Sequence, residues 1–562
     1  MLPRLLIVCS LLLVVLPAVG QDLPDPRKDD RTVAAEELEA VILDARNLDN
    51  KSALVNIRSR AAMLVSLSDP ARSESMFLDL WKYVNAQSDS DFDKQQARNT
   101  ILKYLFARNP KLARQLLAEK PKPDTPDSQP ATPEERERQT AKLASSLIES
   151  DPSTAASLLE KSLATSPTIA GLGALTRLRE VDSFLADYVA AKTLDALTAQ
   201  PTRVSLEALG LMTDYAFPRS AMGSTEAESS LQALQFKYFL AGYEILKGSL
   251  TESNEFLVKQ GLTPRNLQVR ALNQAMVAAM LAALAPRFQP ALVAELQSIA
   301  GSLAPQMPPN VAQYIQLSVS RLSGNLIKSE DAEINLAQAL SNGDYDQART
   351  QIERVNDDKK REVYKQLVFK VEARTLLARG NVLGAVESIR KIEDQTARLL
   401  LYLDALKSVK KKHDDDLTRI IVNEARLLIP QTDRNGIHVQ ALLSFVSQLS
   451  DPSSLDDAFE FLSNAVISIN ALGKKIKPEG PAKSNAEAAM AELNDPNNLL
   501  DSPEMEQAFS SLGLRDLYRG LAQARRIDIR PLQLVARLET IQGVLKSPPP
   551  KPKPKPKAAV SP

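Results

Sequence analysis

The sequence is poor in the residues from which most catalytic and metal centres are built. Its 562 residues include two histidines, one cysteine and one tryptophan. Zinc, haem and thiol chemistry therefore have almost no ligands to draw on. Glycine is also scarce at 19 residues, about half the usual ~7%. That scarcity argues against turn-dense all-β folds and Gly-rich phosphate loops. Charge of one sign is lacking as well. The 69 basic residues balance 69 acidic ones, so no global field draws the chain to nucleic acid or membranes. Gly-x-Ser-x-Gly, a Walker loop and His-Glu-x-x-His are all absent. Proline, at 35 residues, lies slightly above the usual ~5% and is clustered.

The N-terminus reads as a cleavable signal peptide. Arg4 gives a positive start, Leu5 to Leu16 is apolar but for Ser10, and Ala18-Val19-Gly20 follows Pro17. Twelve helical residues reach roughly 18 Å, short of the ~30 Å hydrocarbon core, so an uncleaved anchor fits less well. Cys9 sits inside the apolar run after Val8, which does not suit a lipoprotein. Cleavage before Gln21 leaves 542 residues without cysteine, and the expected location is periplasmic or extracellular. Ala275 to Ala285 is uncharged but too short to span a membrane and predicts a buried helix.

A helix-pair motif recurs. Asp69-Pro70 leads to Ser73, Met76 and Phe77. Asn109-Pro110 leads to Ala113, Leu116 and Leu117. Asp151-Pro152 leads to Ala155, Leu158 and Leu159, and Asp451-Pro452 to Leu455, Ala458 and Phe459. Offsets of four, seven and eight share one helical face, with Asp or Asn as N-cap and Pro at the first helical position. Helices at Ala61–Leu67, Ile101–Phe106 and Leu143–Ile148 precede the first three caps. Those three prolines are 40 and 42 residues apart, a period expected of an α-solenoid.

A second repeat lies further on. Gly343-Asp344-Tyr345-Asp346-Gln347-Ala348 recurs 37 residues later as Gly380-Asn381-Val382-Leu383-Gly384-Ala385. Over Asp331 to Ile392 this resembles the tetratricopeptide repeat, with Gly343, Tyr345 and Ala348 matching in the first copy and Gly380 and Ala385 in the second. Val382 replaces the tyrosine there, and the family's early Trp and closing Pro are absent. The resemblance implies antiparallel helix pairs and makes this segment the expected peptide-contact region. The closing stretch, Phe509-x-x-Leu512-Gly513-Leu514-Arg515-Asp516-Leu517 with Ala524-Arg525-Arg526-Ile527 and Gly543-Val544-Leu545, is similar to secreted helical-repeat proteins of environmental bacteria, which implies no activity.

The expected organisation is a signal peptide (1–20), N-terminal helical repeats (21–118), a Pro-rich linker (119–135) and a central helical region (136–325). Tetratricopeptide-like repeats (326–472), a loop (473–504) containing a short helix at Ala486–Leu493, a helical hairpin (505–546) and a disordered Lys/Pro tail (547–562) follow. Apolar stripes are expected along Ala34, Leu38, Val41, Ile42 and Ala45, along Leu514, Leu517, Leu521 and Ala524, and along Leu534, Leu538, Ile541 and Leu545.

Each chemical candidate has a plainer explanation. Asp89, Asp91 and Asp93 begin like a calcium loop, but Lys94 stands where glycine is needed and Thr100 where glutamate is needed. Lys410-Lys411-Lys412-His413-Asp414-Asp415-Asp416 reads as a basic helix end followed by an acidic helix start. His438 has no evident Ser or Asp partner, and Ser408-Val409-Lys410-Lys411 lacks the companion motifs of Ser-x-x-Lys enzymes. Trp81, in Phe77-Leu78-Asp79-Leu80-Trp81, reads as core rather than as a sugar platform. No residue is assigned as catalytic, cofactor-binding or metal-binding.

Lys551, Lys553, Lys555 and Lys557 alternate with proline, which gives an extended cationic rod suited to an anionic envelope. Without residues 1–20 and the five lysines from Lys546 onward, the body carries a net charge of −6. The expected protein is all-α, an exported solenoid of antiparallel helix pairs that contacts peptides or proteins and no nucleic acid. The alternatives are an envelope hydrolase or lyase with carboxylates in a helical cradle, and a structural envelope protein held by its tail.

Overall fold

The computed structural model describes residues 29–87, 91–119, 133–165, 168–199, 203–217, 225–251, 258, 263–303, 332–430, 435–475 and 495–548. Among these residues the secondary structure is entirely helical. The first half comprises α1 (Asp30–Asp44), α2 (Lys51–Val65), α3 (Pro70–Ala86), α4 (Asp91–Phe106), α5 (Pro110–Ala118), α6 (Pro133–Leu147), α7 (Pro152–Thr165), α8 (Ile169–Val181), α9 (Ser183–Ala199), α10 (Arg203–Ala216), α11 (Thr225–Leu250), α12 (Pro264–Phe288) and α13 (Val293–Leu303). The second comprises α14 (Ala332–Asn342), α15 (Tyr345–Ile352), α16 (Asp358–Ala378), α17 (Val382–Arg390), α18 (Gln395–Lys410), α19 (Asp415–Leu428), α20 (Gly436–Gln448), α21 (Leu455–Lys475), α22 (Pro503–Arg515), α23 (Leu517–Arg525) and α24 (Arg530–Lys546). A 3-10 turn, Pro496–Asp501, precedes α22.

Helices pack on their successors and on the next but one. Thus α2 touches α3 and α4, α4 touches α5 and α6, and α6 touches α7 and α8. The same rule holds from α16 to α20. That is the contact pattern of an α-solenoid of antiparallel helix pairs.

The caps are built as the sequence suggests. Asp69, Asn109 and Asp151 accept from the backbone N–H of Arg72, Leu112 and Thr154 at 2.9, 3.1 and 3.2 Å. Four residues after each cap the side chain is small and buried: Ser73, Ala113 and Ala155. Small side chains there let the two helices of a pair approach at the turn. Ser73 also donates to the Ala62 carbonyl on the preceding helix at 2.7 Å.

Asp451-Pro452 departs from this pattern. Helix α21 begins at Leu455, and the Asp451 carboxylate accepts from Ser453 Oγ and Ser454 N–H at 2.7 and 3.1 Å. The proline lies in a turn and not at the first helical position.

The Gly-Asp repeat is a real structural period. Gly343 and Gly380 have φ of +71° and +76°, a conformation that glycine adopts without a Cβ clash. Asp344 and Asn381 then cap α15 and α17. His413, at φ +55°, takes the glycine position in a third copy, and Asp414 caps α19. Ala348, Ala385 and Thr418 are the corresponding buried small residues.

The first and last of the described helices meet at α24. This helix packs against α22 and α23, and also against α1, α2 and the 496–501 turn. One buried apolar cluster consequently runs through residues 34–296 and 373–544. The expected stripe Leu534, Leu538, Ile541 and Leu545 is therefore only part of the buried surface, since Val535, Ala536, Arg537, Glu539, Thr540 and Gln542 are buried too. The α22–α24 crossing is very close: a Cβ on Gly513 would lie 2.0 Å from the Thr540 carbonyl oxygen, and one on Gly543 2.0 Å from that of Ser510.

Several expectations need correction. Residues 505–546 form three helices rather than a hairpin. Leu514 belongs to α22, apart from Leu517, Leu521 and Ala524 on α23, and is exposed, because the chain turns at Asp516. Pro133 already begins α6, so the linker is shorter at its C-terminal end. Residues 496–501 and 503–504, expected as loop, are helical, as are 473–475. Ala275–Ala285 is buried or half-buried as expected, within the longer α12. Val269–Phe288 is apolar and long enough to cross a membrane by composition alone, with 56% of its most apolar window buried in the fold. The segments expected as signal peptide, most of the linker, the 486–493 helix and the tail from 549 onward lie outside the described residues.

Candidate functional site

A polar groove opens where the first helices of three successive pairs meet the turn before α22. One cleft of about 370 Å³ is lined by Asp49, Asn50, Lys51, Ser52, Tyr83, Gln87, Asp93, Lys94 and Gln96 with Val55, Val84 and Ala97. A second, of about 560 Å³, adds Asn56, Asn99, Thr100, Lys103, Gln139, Lys142, Ser146, Asp495, Asn498 and Asp501 with Leu143 and Leu500. Asn50, Ser52 and Gln96 belong to both, so the two are continuous.

Local folding explains why these residues line the groove. Asn50 caps α2 through Ala53 N–H at 3.0 Å, and so stands at the helix mouth. On α4, Gln96, Asn99, Thr100 and Lys103 recur at three- and four-residue spacing, which gathers them on one face. Leu102 and Leu105 point into the core instead. Asn99 is buried and binds the next repeat, its Nδ2 donating to the Gln139 carbonyl at 3.2 Å and its Oδ1 accepting from Gln95 at 2.9 Å. The inner amides are thereby held rigidly, while Gln96, Thr100, Lys142 and Ser146 remain open to solvent to varying degrees.

Charge is concentrated at the end nearest α24. Arg60 is buried at 3% side-chain exposure and pairs with Glu539 of α24, itself 2% exposed. Arg60 also donates to Asn56 Oδ1 at 2.9 Å and to the Leu500 carbonyl at 2.5 Å. The Tyr104 ring lies under both Arg60 and Lys103, 5.2 and 5.1 Å from its centroid. Burial pushes the Tyr104 hydroxyl well above the usual phenol range. Asp501 accepts from Asn56 Nδ2 at 2.9 Å and Lys103 Nζ at 3.1 Å. Burial tends to raise the Asp501 carboxyl, but the charges of Lys103 and Arg60 outweigh it and hold it below the ordinary carboxylate range.

A second ionic cluster fixes α24 to α1. Arg537 donates to Glu37 at 2.6 Å and to Asp44 at 2.9 Å, Arg525 pairs with Glu37 at 2.9 Å and Arg530 with Asp44 at 2.8 Å. Hydrogen bonds to Glu37 and Asp44 raise the Arg537 guanidinium further against the opposing effect of burial.

The structure disperses the candidates named from sequence. Asp91 and Asp93 lie in the first turn of α4, so the described part of the calcium-like triplet is helix, and Asp89 lies outside the described residues. Lys410 ends α18 and Asp415 starts α19, as the dipole argument requires. Lys410 also reaches Asp451, whose carboxyl it brings down, with Ser453 and Ser454, to about 2 against the raising effect of burial. Ser408 and Lys411 sit at the same helix end. His438 is buried on α20, its backbone N–H donating to the Asn435 side chain at 2.8 Å. Trp81 is core, with its indole N–H donating to Glu119 at 2.9 Å. No group of three or more His, Cys, Asp or Glu gathers in metal-binding geometry among the described residues.

Of the sequence candidates only Asp93 lines the groove, and the groove itself was not foreseen. Its parts are ordinary amides, hydroxyls and surface charges, and Asn56 and Asp501 are 445 positions apart. The legible signal was the excess of Asn, Gln and Thr on one face of α4.

No family model and no curated protein matches the chain. A solved structure described as a circular tandem repeat protein with novel repeat topology and enhanced subunit contact surfaces shares 12% identity across 90% of this chain and 99% of that one, with a TM-score of 0.16. The protein is a helical-repeat protein by its own helix pairs, caps and turns.

Proposed function

We propose that this protein is an exported helical-repeat scaffold that holds an extended polypeptide in the groove across α2, α4 and α6. The observation that carries this reading is the lining. Side-chain amides and hydroxyls both donate and accept, as a peptide backbone does at every residue. Neighbouring helix axes lie roughly 8–10 Å apart, so three helices present about 16–20 Å, or five to six extended residues. Tyr83 is the one aromatic residue among the described lining side chains, which gives a sugar chain little to stack on.

Export and envelope contact belong to the same reading. Arg31, at the start of α1, donates to the carbonyls of Leu545 and Ser547 at the end of α24. The described residues therefore begin and end close together on the folded body. In this reading the Lys/Pro tail contacts an anionic envelope while the body presents its groove.

Fluorescence polarisation of a synthetic hexapeptide panel against chain 21–562 tests the proposal. Peptides that bind are expected to lose at least tenfold in affinity to Gln96→Ala/Lys142→Ala, with an unchanged circular-dichroism spectrum. Equal binding to that variant would overturn the groove assignment.

A further inference from the structure

We infer that the corner formed by Asn56, Arg60 and Lys103 is a carboxylate-binding subsite of the groove, filled by the chain's own Asp501 and available to an acidic side chain of a bound polypeptide when Asp501 withdraws. This inference rests on the groove reading above and names the charge the groove selects.

The donors stand on two helices and the occupant on a short 3-10 turn. Asn56 and Arg60 stand one helical turn apart on α2, and Lys103 comes from α4. Arg60 is fixed from behind by Glu539, and its Nε is engaged by Asn56 Oδ1 at 2.9 Å. That geometry leaves Asn56 Nδ2 pointing at the carboxylate, 2.9 Å from Asp501 Oδ1. Lys103 Nζ reaches the same oxygen at 3.1 Å, and Arg60 Nη2 lies 3.8 Å away. Two donors from two helices thus converge on one acceptor, with the Arg60 guanidinium charge beside them.

Asp501 itself is the last residue of a 3-10 turn and keeps 55% of its side-chain surface exposed. Short 3-10 turns hold their ends with poorer hydrogen-bond geometry than α-helices. The pair has modest strength, as half-exposed ion pairs generally do.

Charge bookkeeping points the same way. Glu539 offsets Arg60, so the remaining charge of the corner is that of Lys103, and one carboxylate balances it. An acidic residue on a chain lying along Gln96 and Thr100 meets that charge, and a basic residue is repelled. Asp501 behaves as a competitor in cis: by mass action, the apparent affinity for an outside carboxylate falls with the fraction of molecules in which Asp501 fills the corner.

The test uses chain 21–562 with fluorescein-labelled hexaglutamate and hexaglutamine as probes, in 50 mM and 300 mM salt. Asp501→Asn keeps the hydrogen-bonding shape but removes the competing charge. It is expected to bind hexaglutamate about two- to sixfold tighter than the native chain at low salt, with the gain shrinking at high salt, and to leave hexaglutamine affinity unchanged. Adding Lys103→Gln to that variant is expected to cancel the gain. Glu149→Gln, the same charge change at an exposed site outside the groove, is expected to have no effect. Unchanged hexaglutamate affinity in a folded Asp501→Asn protein overturns the subsite, as does an equal gain for hexaglutamine. Hexaglutamine binding that persists in that case leaves the groove standing, and loss of both probes from every protein removes the groove with it.

Discussion

The two halves of the chain reverse direction with turns that differ by one residue. In the first half the cap residue donates its N–H to the carbonyl four positions back: Asp69 to Val65, Asn109 to Leu105 and Asp151 to Leu147, at 2.8, 2.7 and 2.7 Å. In the Gly-Asp repeats of the second half the bond spans five positions, Asp344 to Ala339 and Asn381 to Leu376, at 2.9 and 2.8 Å. The additional residue is Gly343 or Gly380, and its positive φ is what the longer turn requires. The shorter turn needs no glycine, which is how a glycine-poor chain folds into so many helix pairs. Proline is not required by it either, since Asp182 and Asp516 close the same four-position bond without one. Both turns deliver the chain to an Asp or Asn cap with a small buried residue four positions on. The lesson is that the cap and the small residue define the repeat, and the turn chemistry is interchangeable.

The largest predicted effect falls where the two halves are joined. Arg60→Met leaves Glu539 buried without its partner and is expected to cost about 3–5 kcal/mol, read from the urea midpoint. The double variant Arg60→Met/Glu539→Leu is expected to regain most of that loss, because it removes both charges from the interior. A double variant as unstable as the single one would show that the pair is not the cause.

Next come the turns themselves. Gly343→Ala and Gly380→Ala force an L side chain into the left-handed region and are expected to cost about 1–2 kcal/mol each. Pro70→Ala and Pro110→Ala change only the entropy of the unfolded chain and are expected to cost less than about 1 kcal/mol. Equal losses in the two sets would erase the distinction between the turns. His413→Gly sharpens it from the other side. It relieves the φ of +55° in the third copy and is expected to raise stability by up to about 1 kcal/mol. A drop in thermal midpoint would contradict the reading of His413 as a glycine substitute.

The smallest effect is pH-dependent. The folded Asp451 carboxyl titrates at about 2, below its ordinary 3.8, so its stabilising contribution is complete above the ordinary value and is lost as pH falls through about 2. Asp451→Asn is therefore expected to lower the thermal midpoint at pH 7 and to match the native chain near pH 2. A constant difference across that range would assign the effect to packing rather than to the Lys410 ion pair.

These contrasts explain which parts of the molecule the sequence reveals. Caps, small residues and turns act over four or five positions, so Asp69-Pro70 and Gly343-Asp344 were visible directly. Helix ends were visible for the same reason, as in the Lys410 to Asp416 run. The junction was not, because its contacts join distant segments: Arg60 meets Glu539 across 479 positions and Arg537 meets Glu37 across 500. Arg537 and Glu539 fall outside the expected apolar stripe of α24. They are buried because Glu37, Asp44 and Arg60 supply the opposite charges. The groove was hidden for a related cause, since its wall of Asp495, Asn498 and Asp501 arrives from the far end of the chain.

The central claim is that α24 makes one body of the two halves, and Trp81 offers a direct probe of it. This single tryptophan lies in α3, on the N-terminal side. Gly543→Ala places a methyl group 2.0 Å from the Ser510 carbonyl oxygen and forces α24 away from α22. Urea unfolding followed by Trp81 fluorescence is predicted to shift to lower denaturant in that variant, although the substitution lies 462 positions away in the chain. A Trp81 transition that stays in place while the total helix signal shifts would show two independent halves and contradict the account.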